Sequence, residues 1–388
     1  MRSSSMVIHA QIWASAVHRD QRRQALVETM TREILLHRAA ALHLINDEIS
    51  LVCKGKAPSE QLLLSILATT VETRGQWQPV GRHKPIPHPF RISHMPKGWD
   101  FLMVEYNRTH IAGLFDLVAR HGGLGALKSR PVAKVIAILD VLIAAMELRA
   151  PVEPWVEVDE VAGLVADLSL NVLEAEAQLA PQTELRPERR ETRAPGSSLP
   201  QLQVLIGTTC LLASVLDRLQ RAVAVGYALP RGKLRNINFM ALVGESTALH
   251  HAIFSVPQEY AAGGPLYEPV RLVTLIFDVG VLFPQPPALG LLGRLVRMAR
   301  AALEYSGCLE YVHDESAEAL IWILFVVGVA ATGMPERDWF TERLSWLTHS
   351  VEWSDVKELL MSYVWAPDAM DETAMDLWNE VRSYGSLL

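Results

Sequence analysis

Two stretches carry residue types that could perform acyl transfer. His121-Gly122-Gly123-Leu124-Gly125 has the glycine content of an oxyanion loop, and Gly244-Glu245-Ser246-Thr247-Ala248 falls one residue short of a nucleophile elbow. An elbow needs a strand feeding a sharp turn, which exposes and strains the serine. Ser246 instead sits within a helical pattern from Phe239 to Phe254, and the glycines of the first stretch fall where a helix ends. Neither stretch reads as catalytic.

Metal chemistry has no better footing. Adjacent residues on a helix point about 100° apart, whereas zinc takes ligands from one face, so His250-His251 reads as one buried and one exposed histidine. His9, His18, His83, His88 and His94 fall in or beside loops with no second ligand close in sequence, and read as solvated. Cys53, Cys210 and Cys308 are widely separated and form no C-x-x-C pair, which suits reduced, mostly buried thiols. No Asp-rich magnesium run and no Walker or G-x-G-x-x-G loop is present. No residue is therefore assigned to catalysis, to a cofactor, to a metal or to DNA. Of the ten tryptophans, Trp322, Trp339, Trp346, Trp353, Trp365 and Trp378 lie in the last third, where a helical core and an apolar effector pocket would both use them. His110, Trp322 and Trp339 are the candidates for such a pocket or core.

The elements that would position these residues are helices. Leu26, Met30, Ile34, His37, Ala41, Leu44 and Glu48 recur at steps of three and four, and Ser59 is a good N-cap for a helix carrying Leu62, Leu63, Ile66 and Leu67 inward. Asp100 caps a helix through Ile111, Leu114 and Val118 that stops at Gly122-Gly123; Ser129 and Pro131 start the next. A helix is read around Trp155 to Leu179, and more near 201–225, 235–255, 266–282, 288–304, 315–332, 335–349, 354–364 and 371–382. Ala319 to Ala331, the longest apolar run, is too short to span a bilayer and reads as a core helix. Pro335 suits a first helical turn, which places Trp339 on an inward face against Trp322 and Phe325.

The expected fold is all-α, an irregular array of about a dozen helices with no hairpin-strand pattern. Residues 1–24 read as an N-terminal segment, partly helical or flexible, and 25–382 as a single helical domain. That domain has a Pro-rich loop at 77–99 and a disordered insertion at 182–198 that lacks apolar anchors. Half of the 388 residues are hydrophobic, enough for an extended core, and the net charge of −7 offers no broad positive field for phosphate contacts.

The stretch Tyr106 to Leu124, with His110, Gly113-Leu114, Arg120 and Gly122-Gly123-Leu124, resembles the H-x-x-G-L…R-x-G-G-L signature of the fungal-specific transcription factor domain of zinc-cluster (Zn2Cys6) regulators. His37-Arg38…Leu44-Ile45-Asn46 is similar to that family's first helical pair. Arg271-Leu272, Leu282-Phe283-Pro284-Gln285-Pro286-Pro287, Leu320 to Ala331, Glu336-Arg337-Asp338-Trp339-Phe340 and finally Trp365…Asp376-Leu377-Trp378-Asn379-Glu380-Val381 follow in the family's order. The resemblance implies the middle, effector-sensing domain of a regulator in the nucleus, with the cytoplasm also open. Its implied partners are a small-molecule effector or a regulatory protein, and a homo- or heterodimer. Members usually carry a six-cysteine zinc cluster that reads DNA half-sites. Three scattered cysteines do not make one, so zinc and direct sequence-specific DNA binding carry over to no residue here. A helical enzyme or biosynthetic accessory protein with an apolar pocket is the alternative. No membrane partner is expected. After extensive dialysis the protein is expected to hold no stoichiometric zinc by metal analysis; one ion per chain would overturn the ligand reading.

Overall fold

The computed structural model describes residues 2–22, 32–70, 88–90, 107–153, 202, 212, 215–216, 248–258, 264–282, 284, 290–309 and 314–385. Outside the described residues lie nearly all of the Pro-rich segment 77–99, the helix read at 155–179, the insertion 182–198, Cys210 and Ser246. Regular structure among the described residues is helical, with no strand, so the all-α reading holds. Contacts divide the chain into two compact units. One comprises Met1–Lys84, His94–Ile143 and Pro151–Val156; the other comprises Pro85–Ser93, Ala144–Ala150 and Glu157–Leu388. The single domain read over 25–382 is thus described as two units, and the N-terminal segment belongs to the first.

In the first unit, α1 (Arg2–Arg22) packs on α2 (Arg32–Cys53) and α3 (Glu60–Thr69). Ala10, Ala14, Ala41 and Ala68 let these backbones approach closely, and Trp13, Ala16, Val17 and Ile34 close a second cluster. Ser59 caps α3 as expected, accepting from Leu62 N. The N-cap of α4 (Arg108–His121) is Asn107, not Asp100: its side chain accepts from His110 N. It ends at Gly122, whose φ of 109° places the C-cap in the left-handed region that glycine enters without a Cβ clash. Histidines tie α4 to both ends of α3: His110 Nδ1 lies 3.0 Å from Thr69 O and His121 Nδ1 2.8 Å from Pro58 O. A carbonyl only accepts, so each Nδ1 carries the proton.

α5 (Arg130–Glu147) follows; its residues from Ala144 on belong to the second unit. The Glu60 carboxylate accepts from Lys128 N and Ser129 N ahead of this helix, where the positive helix end favours an anion. Asp140, fully buried on α5, accepts from Val152 N and Glu153 N and so fixes the chain beyond the helix. Burial, and then the Asp140 charge, push the Glu153 carboxyl above its ordinary value.

The second unit contains helical residues 248–254, α6 (Tyr267–Phe277), α7 (Leu291–Tyr305), α8 (Asp314–Ala330), α9 (Arg337–Leu347), α10 (Trp353–Met361) and α11 (Pro367–Gly385). Residues 319 to 331, the long apolar run, are all buried, and α6, α7, α9, α10 and α11 each pack on α8. No helix among the described residues is long and apolar enough to cross a membrane. Trp322 on α8 stacks on Tyr363 with ring centroids 5.3 Å apart and donates Nε1–H to Val364 O at 2.9 Å, while Phe325 meets Trp353 and Trp378.

The end of α8 depends on one residue of the next helix. Arg337, 7% exposed, donates Nη1–H to Gly328 O at 2.9 Å and to Thr332 Oγ1, and grips Glu380 of α11 through Nε and Nη2. A cation here satisfies a carbonyl near the negative helix end and joins three helices. Arg337→Met is expected to cost about 2–3 kcal/mol in chemical denaturation, because charged hydrogen bonds are lost inside the fold. Glu380→Gln should cost under about 1 kcal/mol, since its side chain is half exposed. Equal losses would contradict the carbonyl-capping role.

Candidate functional site

A buried histidine–aspartate pair and a surface recess, both in the second unit, carry the chemistry on view. α6 runs directly into a π-helical turn, Asp278–Leu282, and a π turn widens the helix where a side chain must be re-aimed. It directs the Asp278 Oδ2 at His250 Nδ1, and both side chains have zero exposure. Gly280 in the same turn faces Phe90: an added Cβ would stand 2.3 Å from the ring, so only glycine fits against that aromatic. Burial pushes the Asp278 carboxyl above its ordinary value, and the charge and hydrogen bond of His250 pull it back. An imidazole oriented by a carboxylate is the base unit of many hydrolases. Both side chains here are enclosed, with zero exposure among the described residues. Of the adjacent pair, His250 is buried as expected, whereas His251 is half-buried and not exposed, with Nδ1 3.5 Å from Ser255 Oγ.

The recess lies between the end of α7 and one face of α9. Its volume is about 290 Å³, and Leu303, Leu309 and Leu347 supply its apolar lining. Trp339, Arg343 and Trp346 are spaced four and three apart, so α9 presents them on one face. The Arg343 guanidinium carbon stands 4.7 Å from the Trp339 ring centroid and 5.2 Å from that of Trp346, within cation–π range of both. Arg343 also pairs with Glu342, and Arg300, paired with Glu304, lies over Trp339 at 5.4 Å. Trp346 is 55% exposed and Tyr305, at the end of α7, 96% exposed. Trp346 therefore adds exposed aromatic surface to the lining of the recess.

The candidate residues from sequence are not all brought together. His110 belongs to the first unit, where its imidazole is spent on Thr69 O. Trp322 and Trp339 share the core cluster of the second unit, but only Trp339 reaches the recess. The expected inward contact of Trp339 with Trp322 and Phe325 is replaced by an edge contact with Phe340 and the two arginines. The reason is register: α9 begins at Arg337, with Pro335 and Glu336 still in the preceding turn. The glycines after His121 cap a helix and lead into a 3-10 turn, Leu124–Ala126, with His121 held on Pro58.

Other readings need correction. His9 lies half-buried in α1 with Nδ1 2.7 Å from His37 Nδ1, instead of being solvated in a loop, and His88 is half-buried beside Phe90. Cys53 is exposed, and Cys308 is buried with its thiol pushed up by burial. Among the described residues no group of three or more His, Cys, Asp or Glu could hold a metal ion. Arg343 and Trp346 join Trp339 in lining the recess, and their spacing of four and three on one helix is the sequence signal for that face.

Comparison with family models, with curated proteins and with solved structures finds no match to the chain.

His250→Ala should cost about 3–5 kcal/mol, because it strands a buried carboxylate. Replacing both partners together, with Leu at 250 and 278, should cost less than the sum of the single changes. The sign with pH follows from the raised carboxyl. Asp278 binds its proton more tightly folded than unfolded, so the deficit of His250→Ala is present above the folded pKa and shrinks as pH falls through it. Urea titrations at neutral and mildly acidic pH read both effects, and a deficit that grows on acidification would contradict the pair.

Proposed function

We propose that the chain is a non-catalytic regulator, transcriptional as the resemblance to the fungal-specific domain implies, that acts by holding a small effector or a partner protein. The observation that carries this reading is the recess faced by Trp339, Arg343 and Trp346, which combines exposed aromatic surface with one held cation. Such a site changes the state of a helical array by binding one arrangement better than another. Action in the nucleus, self-association or pairing with a DNA-reading partner belong to the same reading. The enzyme alternative would draw on the His250–Asp278 pair, and its full burial weighs against it.

Fusion of the chain to a heterologous DNA-binding module should change the output of a reporter placed under that module's site, in either direction. Trp346→Ala should weaken the effect while leaving stability within about 0.5 kcal/mol, as for an exposed side chain. A reporter indifferent to the fusion at normal protein level would contradict the regulatory reading.

A further inference from the structure

We infer that the recess takes a flat aromatic carboxylate, its ring stacked on the exposed indole of Trp346 and its carboxylate held by the outer edge of Arg343. The inference rests on the reading of the recess as the effector site and adds the chemical class of the effector.

Arg343 supplies the central observation. A guanidinium presents its π faces above and below and its five N–H donors in its plane, so stacking and edge recognition do not compete. Trp339 and Trp346 both lie within cation–π distance of the guanidinium, and Nη1 pairs with Glu342. Among the described residues, Nε and Nη2 meet no acceptor. Those two nitrogens form the parallel fork that takes both oxygens of a carboxylate. The two indoles keep the fork from swinging, so little rotamer entropy remains to be lost on binding.

Charge and size narrow the class further. Glu304 lines the recess and Glu342 adjoins it, so a dianionic phosphate would meet two carboxylates where a singly charged acid meets a balanced field. Glu304 is paired with Arg300 and Glu342 with Arg343, so an ammonium would find each carboxylate already engaged and would face the Arg343 cation. The volume of about 290 Å³ sits at the lower limit for small-molecule sites, which suits one or two fused rings and excludes a nucleotide or a long acyl chain. Leu303, Leu309 and Leu347 offer the ring no hydrogen-bonding side chain, so its body should be apolar.

Isothermal titration of the full chain with 2-naphthoate, 2-naphthalenemethanol and 2-naphthylmethylammonium at neutral pH tests the class with one ring system. The acid should bind about tenfold or more tighter than the alcohol, as a charged hydrogen-bond pair requires, and the ammonium weakest. Arg343→Gln should remove the acid's advantage and leave the alcohol unchanged; Arg343→Lys, which keeps charge but loses the fork, should restore part of it. Trp346→Ala should weaken acid and alcohol alike. Equal binding of acid and alcohol, both weakened by Trp346→Ala, would overturn the carboxylate and leave the recess as the site. Absence of binding by all three probes, or binding indifferent to Trp346→Ala, would overturn both.

Discussion

A helix with no polar face has to be surrounded, and α8 is such a helix. From Ala319 to Ala331 every residue is buried, so no orientation of the segment leaves an apolar side in water cheaply. Each large aliphatic or aromatic side chain there gains about 1.5–3 kcal/mol from burial. That demand accounts for the second unit: α6, α7, α9, α10 and α11 all supply a face to α8. Polar groups brought into this interior must then find partners. Trp322 Nε1–H reaches Val364 O, Arg337 answers the carbonyl of Gly328, and Asp278 is matched by His250.

The recess follows from the same demand. α9 must bury Phe340 and Leu344 against the core, and both have zero exposure. At about 100° per residue, Arg343 and Trp346 point to one side of that buried face, where the core no longer needs them. Trp339 falls between, 8% exposed, with its ring shared by the core and by two arginines. The recess is thus mounted on a rigid support, which a binding site for a small flat ligand requires.

Local rules were legible in the residues and long-range ones were not. Ser59 and Gly122 announced caps because a cap depends on a few neighbours in sequence, and the run from Ala319 announced a core helix by composition alone. Pro335 showed that a helix begins nearby, but a shift in its start by two residues changes which rings Trp339 meets. The partners of His9, His110, His121, His250 and Arg337 lie far away in sequence, and no spacing rule encodes them. His9, read as solvated, is therefore a tie between two helices. The spacing of Trp339, Arg343 and Trp346 was present in the sequence throughout, but without α7 beside it the pattern had no recess to line.

The central claim is that α8 is the element on which the second unit depends and that α9 hangs its exposed face from it. Native-state hydrogen exchange followed by mass spectrometry tests this most directly. Amides of 319–331 should be among the last in the chain to exchange, opening only with global unfolding, while those at the end of α7 and beyond Trp346 open earlier. Exchange across 319–331 as fast as at the end of α7 would contradict the account.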